Sequence, residues 1–331
     1  MKFTKYSNMI KYESLHQDLL TQLKKKAPQH SKLVTQLVDI LRLDRTAVYR
    51  RLRGEVPFGF EEIMIIVNEF NISLDNMLGV DARTTLPFRF QPLEKGNPIE
   101  IDYSLLDEYL QAIKDIASDP KGEISSVTNL LPQLFYTGFK SIYRFYYFKW
   151  LYYSIPAHQI IPYHEIIFPE KLVQIAEDIF THSKNIKTGY YILDSRIFQN
   201  FIDDVSFFNS IRLITDDDVR CIKDELFRFL DYMEAVAEKG FADDPSNKVF
   251  IYISDTNIDT SYYYVDSQYS FRFVLIWSFI FNSILTFDEE TLKMMKHRIR
   301  SIIRTSTLLS VAGGKQRSEY FEKKRKIVEQ L

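Results

Sequence analysis

Residues 45–53 contain side chains whose types and spacing fit the recognition of a hydrogen-bonding partner. At 100° per residue, Val48 and Leu52 fall on one side of a helix and can pack inward. The other side is rich in arginine, which donates a bidentate pair of hydrogen bonds to guanine, and it also has a threonine that can contact a thymine methyl group. These residues could therefore read base edges in the major groove of DNA. The candidate DNA-binding residues here are Arg45, Thr46, Tyr49, Arg50 and Arg53.

A preceding helix and a tight turn must position this segment. Apolar residues between Leu33 and Leu41 repeat at helical spacing, and only residues 42–44 separate them from the candidate residues. This is the spacing of a helix-turn-helix unit. Asp44 can cap the later helix and Gly54 can end it. Lys32 and the N-terminus of the earlier helix can hold DNA phosphates.

Charge is unevenly distributed around this helix pair. Residues 24–53 hold nine basic and two acidic residues, whereas residues 55–81 hold six acidic and no basic ones. Such polarity is expected when one face of a small domain meets DNA. The alternative is a basic helix on the surface of an ordinary helical bundle, since runs of charge are usually solvated.

Residues 37–78 resemble the Xre/Cro class of lambda-repressor-like helix-turn-helix domains. The similarity includes the Leu43-Asp44-Arg45 turn, the Arg53-Gly54 stop and the Ile72-Ser73 entry to a short fifth helix. The resemblance implies a five-helix domain that binds double-stranded DNA. The implied base contacts come from Arg45, Thr46, Tyr49 and Arg50. At Arg51 the family usually has an apolar residue, and we expect Leu52 to take the inward position instead.

The rest of the chain predicts a second, larger domain. Residues 1–80 form the expected helix-turn-helix domain, residues 81–98 a linker with three prolines, and residues 99–331 a mainly helical domain. Strand-like runs at 249–254, 261–265 and 271–277 predict a small antiparallel β-meander. The predicted fold class is therefore mainly α, with one small meander in the larger domain.

One predicted helix, within residues 127–153 and broken or entered at Pro132, is unusually aromatic. Residues 135–153 contain 11 aromatic side chains, interleaved with three basic ones. A buried stripe is the simplest interpretation, because many of the rings repeat at helical spacing. A ligand pocket and the stacking of single-stranded nucleic acid remain alternatives. The candidate pocket residues are Tyr143, Tyr147 and Trp150.

Two further segments have alternative interpretations. Asp255, Asn257 and Asp259 are spaced as in a calcium loop, but Thr260 stands where the loop needs glycine, so a hairpin loop is preferred. Residues 293–331 hold 11 basic and three acidic residues, which favours a solvated or partner-facing surface over a second DNA contact. Residues 82–292 carry a net charge of −12, so we expect this acidic part to face away from DNA.

The remaining residues exclude several classes of function. The single cysteine, Cys221, permits no intramolecular disulfide, and the N-terminal residues lack the apolar run of a signal peptide. The longest uncharged run is too short to span a membrane. No histidine pair has the spacing of a metal site, and no phosphate-loop or nucleophile motif is present. We therefore expect a cytoplasmic protein without a metal, a cofactor, a membrane partner or an enzymatic activity.

The sequence predicts a sequence-specific transcriptional regulator that binds double-stranded DNA as a homodimer. Its layout also looks like that of large bacterial regulators with this domain followed by a helical one. The larger domain would mediate dimerisation, effector sensing or both, because one helix-turn-helix unit reads only a half-site. Two alternatives stay open. The chain could be an interaction or scaffold protein whose helix-turn-helix has lost DNA contact, or an enzyme within residues 99–331.

Overall fold

A computed structural model describes residues 12–26, 30–70, 72, 88–95, 97–268, 272–278, 281–311 and 313–331. The chain divides into two compact units, Met1–Pro87 and Phe88–Leu331. No helix among these residues is long and apolar enough to cross a membrane.

The described part of the first unit is helical. Its helices are α1 (Tyr12–Lys26), α2 (His30–Leu41), α3 (Arg45–Leu52) and α4 (Phe60–Glu69). The two helices of the predicted helix-turn-helix unit lie where the sequence placed them, because α2 contains the apolar repeat from Leu33 to Leu41 and α3 begins at Arg45, directly after Asp44. Their apolar faces share one core that includes Leu23, Leu37, Val48 and Ile66, all fully buried. The predicted fifth helix, from Ser73 to Gly79, lies outside the described residues.

The second unit combines helices with a sheet. Its helices are α5 (Tyr103–Ser118), α6 (Gln133–Tyr136), α7 (Lys140–Ser154), α8 (Glu170–Ser183), α9 (Ile197–Ser210), α10 (Asp216–Lys239), α11 (Glu289–Arg304) and α12 (Gly314–Glu329). Its strands are β1 (Arg89–Gln91), β2 (Glu94–Lys95), β3 (Asn97–Ile101), β4 (Glu123–Thr128), β5 (Thr188–Asp194), β6 (Lys248–Ser254), β7 (Tyr262–Asp266), β8 (Arg272–Ser278), β9 (Asn282–Thr286) and β10 (Ser306–Leu308).

Eight of these strands form one mixed sheet in the order β1-β9-β8-β7-β4-β5-β6-β10. Strands β4, β5 and β6 are parallel, and every other pairing is antiparallel. Strands β2 and β3 form a separate antiparallel pair. Strand β1 lies within the segment expected to be a linker, where Phe90 is opposite Ile284 of β9.

The predicted fold class was wrong in its β component, although the helical majority is confirmed. The predicted strands at 249–254 and 261–265 exist as β6 and β7, but they are not neighbours in the sheet. Residues 255–261 are therefore not a hairpin loop. They connect β6 to β7, which lies on the far side of β5 and β4. Strand β4 was not predicted. Five of its six residues are buried, so polar and apolar residues do not alternate, and Ser125 and Ser126 interrupt the apolar run that marks a buried strand.

The two faces of the sheet are covered unequally. One face packs against a large core to which α5–α10 and α12 contribute. The other face has a smaller core that includes Val127, Ile192 and Val274. Within the described residues, α11 is the helix that packs on this second face, through Leu292, Met295 and Ile299. Helix α11 therefore has one buried face and one long outer face.

Candidate nucleic-acid interface

The start of α3 is fixed by the turn that precedes it. Arg42 has a left-handed backbone with φ of 52°, which reverses the chain immediately after α2. Asp44 is extended, and its Oδ1 accepts a 2.8 Å hydrogen bond from the Ala47 amide. This is the N-cap predicted from the sequence, and it satisfies an amide that the helix itself leaves unpaired.

The end of α3 is fixed by Gly54, as predicted. Gly54 has φ of 79°, and its amide donates to the Arg51 carbonyl at 2.9 Å. The Glu55 amide donates to the Arg50 carbonyl at 3.0 Å. Together the two hydrogen bonds form a Schellman motif, which favours glycine because a Cβ is strained at this φ. The candidate helix is therefore held at both ends by its own sequence.

The packing of α3 orients the candidate side chains outward. Val48 is fully buried and Leu52 is 6% exposed, so Leu52 takes the inward position as predicted. Tyr49 is 38% exposed. The structure brings the predicted α3 residues onto the exposed part of the helix; the exposed members are Arg45, Thr46, Tyr49, Arg50 and Arg53.

Lys32 and Arg45 meet across a shallow groove between α2 and α3. The groove has a volume of about 330 Å³ and is also lined by Thr35 and Gln36. Arg45 Nη2 donates to Thr35 Oγ1 at 3.4 Å. Sequence reasoning missed Thr35 and Gln36, although they lie three and four residues after Lys32 and so share its helix face. The groove presents two cations and two neutral hydrogen-bonding side chains, which suits a phosphate.

A carboxylate contacts two of the candidate arginines. Glu55 Oε1 accepts from Arg53 Nε at 2.7 Å, and Glu55 Oε2 lies 3.7 Å from Arg50 Nε. All three side chains are about half exposed, so solvent screens these pairs. Glu55 therefore partly neutralises the C-terminal end of the exposed face of α3.

Arg51 faces the interior edge of the domain and not the exposed face. Its Nε and Nη2 each donate a 2.9 Å hydrogen bond to Glu62 on α4, and both side chains are about one fifth exposed. Burial tends to raise the pKa of Glu62, but the Arg51 guanidinium and the Gly59 amide outweigh it and lower that pKa. The Arg51–Glu62 ion pair stands where the resemblance to the Xre/Cro class implied an apolar side chain.

The candidate pocket residues of the second unit lie in its core. Tyr143, Tyr147 and Trp150 are at most 4% exposed on α7. Tyr147 stacks on Trp150 with ring centroids 5.8 Å apart, and Tyr143 lies edge-on to Phe281 at 5.8 Å. Burial raises the pKa of Tyr147 to about 12. These contacts give each ring a structural role, and a ligand role for them stays a prediction.

A surface depression of about 380 Å³ lies beside the first turns of the same helix. It is lined by Lys140 and Arg144 of α7, by Ile166 and Phe168, and by Glu170, Val173 and Gln174 of α8. Arg144 Nη2 donates to the carbonyls of Tyr163 and Ile166, each at 3.0 Å. Its Nε is buried and has no hydrogen-bond partner among the described residues. This depression could not be predicted from the sequence, because it depends on where α8 packs.

Comparisons with known proteins assign one part of the chain. Residues 10–97 match the model of the BetR domain. This domain is associated with helix-turn-helix-like DNA-binding regulators. No curated protein and no solved structure matches the chain.

The BetR match covers about a quarter of the 331 residues. It includes α1–α4, with the capped turn and the groove, and it ends just after β2. The match agrees with the broader part of the resemblance drawn from the sequence, a helix-turn-helix-like domain of regulators. The match does not distinguish the Xre/Cro class from other helix-turn-helix-like regulators, so that part of the resemblance stays a prediction.

Proposed function

We propose that the protein is a sequence-specific, DNA-binding transcriptional regulator whose BetR region inserts α3 into the major groove. The observation that carries this proposal is the exposed polar face of α3, held at both ends by Asp44 and Gly54. Five candidate DNA-binding side chains lie there, and Lys32 joins Arg45 at the adjoining groove. A bacterial regulator must reach the chromosome in the cytoplasm, so the proposal includes a cytoplasmic location.

The contacts would divide between bases and phosphates. Under an Xre/Cro-like mode of binding, Arg45, Thr46, Tyr49 and Arg50 reach base edges from the first two turns of α3. Lys32 and the groove beside it hold the phosphate backbone, which sets the position of α3 but reads no sequence. Arg53 lies farther along the helix, beside Glu55.

Selection from random double-stranded DNA tests the proposal. The full chain is expected to enrich one motif, and a variant with Arg45, Thr46, Tyr49 and Arg50 all replaced by alanine is expected to enrich none. Because these side chains are exposed, the variant should keep its circular dichroism spectrum. Equal enrichment by both proteins would overturn the proposal. Residual binding that is insensitive to salt and unchanged by Arg50→Ala would involve neither phosphates nor the face of α3, and would instead favour an interaction protein whose helix-turn-helix no longer contacts DNA.

The proposal includes a homodimer, because a single helix-turn-helix unit reads only a half-site. A dimer would enrich a palindromic or directly repeated motif, with half-site centres about 10 base pairs apart or a multiple of that. Light scattering at micromolar concentration, with and without the selected DNA, measures the assembly. A monomer under both conditions would remove this part of the proposal.

Effector sensing by the second unit is the remaining part of the proposal. The depression beside α7 places Arg144 and Lys140 next to the apolar side chains of Ile166 and Phe168. Such a lining suits a small anion with an apolar portion. Thermal unfolding with hexanoate or with inorganic phosphate tests this, with Arg144→Met as the comparison. Identical shifts in wild type and variant would exclude the depression as the site.

A further inference from the structure

Helix α11 carries a row of basic side chains along its outer face. The row consists of Lys293, His297, Arg300 and Arg304, spaced four, three and four residues apart, and all four are exposed. At 100° per residue they fall within an arc of about 60°. The buried residues Leu292, Met295 and Ile299 lie on the side that packs on the sheet. The helical periodicity that places the apolar residues against the sheet therefore also places the four basic residues on the outer face.

The row is not neutralised by carboxylates. Within the part of the chain that the structure describes, Lys293, Arg300 and Arg304 form no ion pair. Arg304 instead donates to Ser301 on its own helix at 3.0 Å. By contrast, Lys296 lies nearer the sheet, where Asp266 accepts a 2.6 Å hydrogen bond from it.

Three acidic residues lie at the start of α11, and two of them have partners outside the row. Asp288 caps the helix by accepting from the Thr291 amide at 2.8 Å. Glu289 pairs with Arg272 of β8 at 2.8 Å. Glu290 is exposed in the first turn, where a negative charge favours the helix dipole. Lys293, Arg300 and Arg304 are thus not paired with a carboxylate among the described residues, although residues 82–292 are acidic overall.

The spacing of the row fits a linear polyanion. From residue 293 to residue 304 an α-helix rises about 16 Å. Double-stranded DNA carries about one negative charge per 1.7 Å of its axis, so each permanent cation of the row can meet a phosphate. A small anionic ligand would engage only part of a row of this length.

We propose that the basic row of α11 binds the phosphate backbone of double-stranded DNA and gives the second unit its own DNA contact. Only the choice of DNA among polyanions rests on the proposed function. Once α3 is bound to its operator, the tethered second unit meets nearby phosphates at a high effective concentration. The row reads no sequence, so it adds affinity to operator and non-operator DNA alike.

Fluorescence anisotropy on the full chain tests this proposal. The DNA is a 40-base-pair duplex of arbitrary sequence, titrated at several NaCl concentrations. The test variant is Lys293→Gln/Arg300→Gln/Arg304→Gln. The matched control, Lys121→Gln/Lys239→Gln/Lys323→Gln, removes the same charge from three exposed lysines elsewhere in the second unit. Neither variant changes a buried side chain, and thermal unfolding monitors their folding.

The test variant should bind the duplex at least tenfold more weakly than the control at low salt. The slope of log K against log[salt] should fall in magnitude by about 2.7, since each lost phosphate contact contributes about 0.9. Equal affinities and slopes in the two variants would overturn the proposal. So would a loss of binding to phosphatidylserine vesicles without a loss of binding to DNA.

The same experiment separates this proposal from the regulatory one. The α11 variant is also made in the background that lacks the four base-contacting side chains of α3. If that background still binds DNA and loses binding on removal of the row, α11 contacts DNA whether or not α3 reads a sequence. If α3 selects a motif but removal of the row does not change DNA affinity, the proposed regulatory function is supported and the proposed α11 contact is excluded.

Discussion

The guanidinium of Arg51 and the carboxylate of Glu62 are joined by two parallel hydrogen bonds of 2.9 Å that tie α3 to α4. Glu62 Oε2 also accepts a 2.9 Å hydrogen bond from the Gly59 amide at the start of α4. The Glu62 carboxylate thus holds one side of α3 against α4 and also caps the N-terminus of α4. Because the pair sits beside buried Leu52, it helps to decide which face of α3 points outward.

Replacing Glu62 with glutamine should destabilise the first unit by about 1–3 kcal/mol, because Arg51 would remain partly buried without a counter-charge. Hydrogen exchange of the α3 and α4 amides is the suitable measurement, since both tryptophans lie in the second unit and do not report on this region. The exchange in α3 and α4 should accelerate by at least fivefold.

Glu61→Gln is the matched control for this experiment. Glu61 is exposed on the same turn of α4 and has the same charge. It should change the exchange rates by less than twofold. Similar protection in both variants would mean that the Arg51 pair contributes no net stability.

Acid should weaken the same unit in a predictable direction. The pKa of Glu62 is lower in the folded state than its ordinary value of about 4.3. A lowered pKa adds stability above the unfolded pKa, and that stability is lost as the pH falls through the folded value. The wild type should therefore lose protection in α3 between about pH 5 and pH 3 more steeply than Glu62→Gln. Parallel losses would show that another group controls the acid response.

Glu55→Gln should strengthen DNA binding if α3 enters the major groove. The Glu55 carboxylate contacts Arg53 at 2.7 Å, lies 3.7 Å from Arg50, and would repel the phosphates that α3 approaches. Exposed pairs of this kind contribute about 0.2–1 kcal/mol, so we expect a gain in affinity of about two- to fivefold at low salt. Anisotropy with the selected operator measures the gain, which should shrink as salt is added.

Glu61→Gln again serves as a control for net charge, because Glu61 is exposed and forms no ion pair with α3 among the described residues. A weaker complex with Glu55→Gln would show that Glu55 orients the arginines for binding and does not compete with the DNA.

The sequence predicted the first unit well because its signals are local. Asp44, Gly54 and the apolar repeat of α2 act within a few residues, so α3 could be placed before any tertiary contact was known. The role of Arg51 could not be predicted in the same way. Its partner is 11 residues away, and the two meet only because α4 packs across α3.

The sheet was underpredicted for the opposite reason. Strand β4 pairs with β5 and β7, so Ser126 lies opposite Tyr191 and Tyr263, which are 65 and 137 residues away in the sequence. Its buried residues include two serines, and neither an alternating nor a continuously apolar pattern survives. The helix predicted at 127–153 wrongly included the last two residues of this strand. Its predicted break or entry at Pro132 is confirmed, because the helical residues begin after that proline.

Lys324 should make the stability of the second unit depend on alkaline pH. It is 4% exposed on α12, where Nζ donates to the Ser195 carbonyl and lies 5.0 Å from the centre of the Tyr320 ring. Burial, and then the charge of Lys323, lower the pKa of Lys324 to about 8, although Asp194 opposes this shift. The unfolded chain has an ordinary lysine pKa of about 10.4.

Between these two values the unfolded state binds more protons than the folded state, so stability should rise with pH. We expect Lys324 to contribute a rise of about 1 kcal/mol from pH 7 to pH 9, taken as the difference between wild type and Lys324→Met in urea unfolding followed by the fluorescence of Trp150 and Trp277. Lys324→Met should abolish the rise, whereas Lys315→Met, an exposed lysine on the same helix, should keep it. The range stops at pH 9 because the buried tyrosines, such as Tyr143, have pKa values raised above 10 and lower the stability of the folded state as unfolded tyrosines begin to ionise. A rise of equal size in Lys324→Met would show that the buried lysine is not its source.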